Sequence, residues 1–214
     1  MVQLPPLSKK NAEVVKALSY FLQCKEKIVW FPHNDEYGVD VYEVKGCLRL
    51  KVPLRTRPKQ WFLDWLGEDK AEIHLNREGP SFMNCADFVY LTLFKAGVIA
   101  KEKIKQRYLE QKGTYYGFPL VDFAPFDPKK GEAQSGDILL GYVNGIPEHV
   151  MILSGKDREG EWIAAGLWNM DGEVTFNLRH SPLESRLTKL QLFCKNNGNQ
   201  SLTFGWCPLE KIHF

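Results

Sequence analysis

The stretch from Ser135 to Gly155 constrains this 214-residue chain most. Ser135-Gly136-Asp137 reads as a turn leading into an apolar strand, Ile138 to Tyr142. Glu148 to Gly155 reads as a second apolar strand, and Asn144-Gly145 stands between the two. That dipeptide tolerates the positive φ angles of a tight hairpin turn, so the two strands pair antiparallel. Gly136-Asp137 is read as a turn alone. His149 stands at the start of the second strand, where a side chain can project from the end of a sheet.

A second stretch, Asn84 to Gly97, predicts a helix. Asn84 serves as N-cap, accepting from the orphan N–H groups of the first turn. Val89, Leu93 and Ala96 recur at helical spacing, Phe88 and Leu91 widen the apolar face, and Gly97 is the stop. Cys85 thereby takes the first helical position, where the backbone dipole and unpaired N–H groups favour a thiolate. That makes it a candidate nucleophile, although a lone cysteine there also suits a small buried side chain. A helix-borne thiolate facing an imidazole on a sheet is the arrangement in which histidine acts first as base and then as acid.

Residues 84–99 followed by 135–155 resemble the NlpC/P60 superfamily of papain-like cysteine peptidases. That family places Asp-Cys-Ser-Gly at a helix start, Pro-Gly-Asp before a strand, and His-Val-Gly on the next strand. Cys85 matches the nucleophile, Gly136-Asp137 the turn and His149 the general base, while Asn84, Ala86 and Asp87 depart from the pattern. The family's third catalytic residue, a His, Asn or Gln, orients the imidazole from the following strand. Simple alignment of the strands puts Ala164 there, a departure. The nearest polar candidate is Asn169, with Asp171 as runner-up; Asn169 is equally good turn chemistry. Where the family's cleft-lining loop often carries a tyrosine, residues 75–83 have none, leaving His74 or Asn76 for that place.

Elsewhere the chain reads as core and scaffold. Ser8 caps a helix from Lys9 to Lys25, and Ile28 to Phe31 and Tyr37 to Leu54 read as strands. Trp61, Phe62 and Trp65 fall at helical spacing and read as core, with sugar stacking as the alternative. Lys101 to Lys112 reads as a solvated helix, and residues 113–128 as an ordered aromatic loop walling a cleft. Trp162 to Ala165, Glu173 to Leu178 and Leu187 to Cys194 read as further strands, and residues 205–214 as an ordered tail.

The hydrophobic fraction of 44% suits a folded core, and a net charge of +2 supplies no field for nucleic acid. The five cysteines form no CxxC pair and read as reduced thiols. His33, His74, His180 and His213 lack partners at metal-ligand spacing, so no metal or cofactor is expected. Neither an apolar leader nor a window of roughly 18 apolar residues is visible, predicting synthesis in the cytoplasm and no stable membrane insertion.

The expected fold is α+β, papain-like, with the nucleophile helix packed on an antiparallel sheet. We expect one domain over residues 1–214, with 1–70 a family-specific addition and 71–180 the catalytic core. The resemblance implies a cysteine peptidase or amidase with Cys85, His149 and Asn169 as its catalytic set. Its implied substrate is the peptide portion of peptidoglycan. Delivery as an antibacterial toxin, for example by type VI secretion into a target-cell periplasm, implies an immunity protein and a secretion-system carrier. The alternative is a Cys/His acyltransferase, lipid hydrolase or protease acting on a host-cell target; a binding module with a dead site is a third possibility.

Overall fold

The computed structural model describes residues 7–30, 61–69, 72–75, 81–108, 112–130, 132–167, 178–183 and 201–213. In chain order the elements begin with α1 (Lys9–Gln23), β1 (Ile28–Trp30), α2 (Trp61–Gly67), β2 (Ser81–Met83), α3 (Cys85–Lys95) and α4 (Lys101–Tyr108). The strands β3 (Thr114–Tyr115), β4 (Phe118–Pro119), β5 (Ala124–Pro125), β6 (Ile138–Val143) and β7 (Ile146–Lys156) follow. The last are β8 (Trp162–Leu167), β9 (Leu178–Pro182) and β10 (Leu202–Cys207). The expected strands over Tyr37–Leu54 and Leu187–Cys194 lie outside the described residues.

A six-stranded sheet in the order β5-β10-β6-β7-β8-β9 forms the centre, and its pairs are all antiparallel. Asn144 (φ 50°) and Gly145 (φ 78°) make the expected tight turn between β6 and β7. Alternation along the strands divides the side chains between two faces. Ile138, Leu140, Val150, Ile152, Ala165 and Leu167 join one core cluster with α1, α2 and α3. Leu139, Met151, Leu153, Trp162, Ala164 and Leu183 make a second cluster on the other face. The chain is therefore mixed α and β around an antiparallel sheet.

The helices form for the reasons their sequences suggest. Ser8 caps α1, its hydroxyl accepting from the Asn11 N–H at 3.2 Å. Val14, Leu18 and Phe21 are buried along one face, and the Phe21 ring meets Phe88 of α3 edge-on at 6.0 Å. Burying each such side chain is worth roughly 1.5–3 kcal/mol. Phe62 and Trp65 are buried in α2 as expected, with Trp61 stacked on Trp65 at 6.2 Å. The helix expected over Lys101–Lys112 is α4, which is not wholly a solvated face. Ile104 is buried, and so is Lys101, whose ammonium donates to the Glu68 carbonyl at 2.6 Å over the Trp65 ring.

Several strands were not expected: β2, β3 to β5 in the stretch read as a loop, and β10. Residues 81–83, read as loop, form β2 and pair in parallel with β1. The supposed tail contributes β10, which lies inside the sheet between β5 and β6. Its alternation is plain in retrospect: Leu202, Phe204 and Trp206 pack on the second cluster, and Cys207 on the first.

Gly136-Asp137 is much more than a turn. Gly136 has φ 93°, and a Cβ there would lie 2.9 Å from the Asn11 carbonyl oxygen. Asp137 is 2% exposed and accepts four hydrogen bonds. Its Oδ1 takes Asn11 Nδ2 at 2.8 Å and the Leu209 N–H at 3.0 Å. Its Oδ2 takes the Gln134 N–H at 2.8 Å and Trp206 Nε1 at 2.9 Å. One carboxylate thus ties α1, the entry to β6, β10 and the turn after it.

Cys207 is fully buried, and burial, with Asp122 and Asp137 adding, pushes its thiol up to about 12. An unfolded thiol ionises near about 8.5. With the folded value raised, the contribution is intact below the unfolded value and is lost as pH climbs toward the folded one, at about 1.4 kcal/mol per pH unit. Denaturation midpoints should therefore fall between about pH 9 and 12, and Cys207→Ala should flatten the slope. An equally steep fall in that variant would assign the alkaline sensitivity elsewhere.

Candidate active site

The helix that carries Cys85 is fixed at its start by a reciprocal cap. Asn84 Oδ1 accepts from the Asp87 N–H at 2.9 Å, and Asp87 Oδ2 accepts from the Asn84 N–H at 2.7 Å. This is a capping box with Asp in place of Glu, satisfying two of the orphan donors at once. Tyr108 closes α4 onto the same point, its hydroxyl donating to Asp87 Oδ1 while Asn84 Nδ2 approaches it at 3.3 Å. Burial and the neighbouring Asp87 carboxylate hold the Tyr108 phenol far above its ordinary range, so it remains a donor. The departures from the family pattern at Asn84 and Asp87 thus build the cap that positions Cys85.

Cys85 is the first residue of α3 and is 4% exposed. Its Sγ lies 3.3 Å from the Tyr115 hydroxyl, and the backbone amides of Val150 and Ala86 favour its charged form. Tyr115 in turn donates to the Glu148 carbonyl at 2.7 Å. A phenol has one proton to give, so the sulfur supplies the hydrogen in its own contact: S–H donates to the Tyr115 oxygen. The resting thiol is neutral.

Its electrostatics agree. Burial pushes the Cys85 thiol above its ordinary value, and the Asp87 carboxylate adds to the rise. The Tyr115 hydroxyl and the two amides pull the other way without overcoming burial. A thiol acidified by the helix terminus was expected; desolvation reverses that expectation. Burial, followed by the neighbouring Cys85, likewise holds the Tyr115 phenol well above its ordinary range.

Strand β7 supplies the carbonyl that accepts from Tyr115. Gly141 pairs with His149 but Tyr142 pairs with Pro147, so Glu148 is the extra residue of a bulge. A bulged residue is released from the ladder, which frees the Glu148 carbonyl for Tyr115. Tyr115 belongs to β3, whose hairpin to β4 turns through Tyr116 (φ 48°) and Gly117 (φ 85°). The expectation of an ordered wall over residues 113–128 meets this hairpin, although Tyr115 itself was not singled out. Its signal was Tyr-Tyr-Gly, an aromatic pair before a turn glycine.

His149 is 6% exposed and stands on β7, the strand against which α3 packs. Its Cβ, however, is on the face of Gly141, Met151 and Leu153, 3.6 Å from where a Gly141 Cβ would stand. Cys85 belongs to the cluster on the opposite face. The sulfur is hydrogen-bonded to Tyr115, which comes from the hairpin and not from β7. Ala164 pairs with Leu153, not with His149, which explains why simple alignment found no polar third residue there. Asn169, Asp171, Asn76 and His33 lie outside the described residues.

The other histidines stand apart. His74 is exposed and bonded to Glu72 at 2.8 Å. His180, on β9 opposite Ala165, reaches Ser154 Oγ with its Nε2 at 2.7 Å. Burial, then Lys25, lowers its pKa, favouring the neutral ring. Among the described residues no group of His, Cys, Asp and Glu could hold a metal ion, and Cys24, Cys85 and Cys207 are free thiols. No helix among them is long and apolar enough to cross a membrane.

The structure thus brings together a capped cysteine at a helix start and a tyrosine on its sulfur, and it places His149 on the adjoining strand but on the opposite face of the sheet. Comparisons with family models, curated proteins and solved structures find no match to this chain.

Proposed function

We propose that the chain is a cysteine hydrolase of NlpC/P60 type, papain-like in fold, that cleaves amide bonds in the peptide portion of peptidoglycan. One observation carries the reading. Cys85 opens an N-capped helix that packs against β7, the strand that carries His149. The thiolate attacks the amide carbonyl, and backbone N–H groups at the start of α3 stabilise the oxyanion. His149 then protonates the leaving amine, and water releases the acyl group. This requires β7 to change phase by one residue at the Glu148 bulge when substrate binds, because the imidazole otherwise stays on the face of the sheet opposite the sulfur. Asn169 is proposed to orient the ring.

Purified protein incubated with intact sacculi should release soluble fragments with new amine termini, read by mass spectrometry. Cys85→Ala and His149→Ala should release none. Intact sacculi after incubation with the folded protein would remove this substrate, and acyl transfer in a parallel lipid extract would favour the acyltransferase reading. Delivery as a toxin, guarded by an immunity protein and carried by a secretion system, belongs to the same proposal. Expression directed to the periplasm of a Gram-negative host should lyse it, while cytosolic expression should not; killing from the cytosol would point to another target.

A further inference from the structure

Tyr115 meets the sulfur from one side and the bulge of β7 from the other. Three atoms make a short chain: Cys85 Sγ, the Tyr115 oxygen at 3.3 Å, and the Glu148 carbonyl oxygen 2.7 Å beyond it. In the neutral state every proton in this chain points the same way, from sulfur to phenol to carbonyl. When the sulfur loses its proton, that direction no longer suits the chain. A thiolate is a charged acceptor, and a hydrogen bond to a charged acceptor is roughly twice as strong as one to a neutral carbonyl. The phenol proton then has a better partner at the sulfur than at Glu148.

We propose, building on the reading of Cys85 as nucleophile, that Tyr115 is the positioning residue that sets the charge state of that sulfur. Its hydroxyl turns from the Glu148 carbonyl to Sγ as the thiolate forms. The sulfur proton leaves to the base, which is His149 in the reaction above and solvent in an alkylation. Tyr115 keeps its own proton throughout, as a phenol held this far from ionisation must. The bulge at Glu148 makes the exchange possible, because its carbonyl is no ladder acceptor and water can replace the donor it loses. The turn beyond Tyr115 stays fixed, since Tyr90 donates to the Tyr116 carbonyl at 3.0 Å and a Cβ at Gly117 would strike the Arg107 carbonyl. Rotation of one C–O bond suffices.

The test reads the thiol directly. Iodoacetamide alkylation of Cys85 is followed by peptide mapping from about pH 6 to 10 in the full chain. Tyr115→Phe keeps the ring, which packs edge-on against Tyr116 at 5.0 Å, and removes only the hydroxyl. It should slow alkylation near neutral pH roughly tenfold and move the profile to higher pH by about one unit. Site-specific 3-fluorotyrosine at position 115, a more acidic and stronger donor, should move the profile the other way. Opposite shifts from two near-isosteric changes would not follow from a packing role. An unchanged or faster rate in Tyr115→Phe overturns the proposal, as does an unchanged or slower rate with the fluorinated ring. Alkylation reports on the thiol whether or not the chain hydrolyses anything. Failure here therefore leaves the Cys85→Ala activity test standing, and failure there leaves this profile standing.

Discussion

Asp137→Ala should lower stability by on the order of 3–5 kcal/mol, because it strands several buried donors at once. Asn11 Nδ2, the Gln134 and Leu209 amides and Trp206 Nε1 all converge on this carboxylate. Typical domains hold only about 5–15 kcal/mol in reserve, so the variant should be near the edge of folding. Asp137→Asn separates shape from charge. It preserves volume, but its amide must point two N–H groups at two other donors, and a loss of roughly 2 kcal/mol or more is expected. Urea denaturation at unchanged slope reads both. A midpoint within error of the parent for either variant would show that the four bonds carry little net energy.

Cys85→Ala should abolish the proposed hydrolysis, by roughly 10⁴-fold or more, while leaving the chain folded. The fold does not depend on the sulfur. The start of α3 is secured by Asn84, Asp87 and Tyr108, and removing one sulfur atom leaves only a small cavity. The stability cost should be about 1 kcal/mol. Sacculus digestion and urea denaturation on the same preparation separate the two effects. Residual cleavage near the parent rate would dismiss Cys85 as nucleophile; unfolding would mean that the network around Tyr115 supports the core more than its geometry suggests.

Local rules made much of this fold legible. The Asn144-Gly145 turn, the Ser8 and Asn84 caps and the aromatic spacing of α2 follow from backbone chemistry and period, which act within a few residues. What sequence hid is what distance in the chain hides. The ligands of Asp137 lie as far off as Asn11 and Leu209, and nothing local marks an aspartate in a turn as their meeting point. Tyr115 meets Cys85 across 30 residues, and only the bulge at Glu148 completes the arrangement. The thiol's electrostatics were misjudged for a related reason: the helix terminus is visible in sequence, whereas the depth of burial that outweighs it is not. The side of the sheet taken by His149 depends on strand phase, and one residue of phase reverses the face.

The place of β10 has a consequence for how the chain is made. The hairpins β6–β7 and β7–β8 join neighbours in sequence and can form as soon as their residues leave the ribosome. The partner that covers the outer edge of β6 is Leu202–Cys207, some sixty residues later. At about 5–20 residues per second, β6 spends several seconds as an open, apolar edge. Two of the donors that neutralise Asp137, from Trp206 and Leu209, arrive with that same strand. During synthesis the nascent chain thus carries both an unpaired strand and an Asp137 carboxylate still lacking two of its four donors. Strand β10 completes the sheet's interior, so a ribosome-stalled chain ending near residue 195 should be held by chaperones, whereas a chain extended beyond β10 should not.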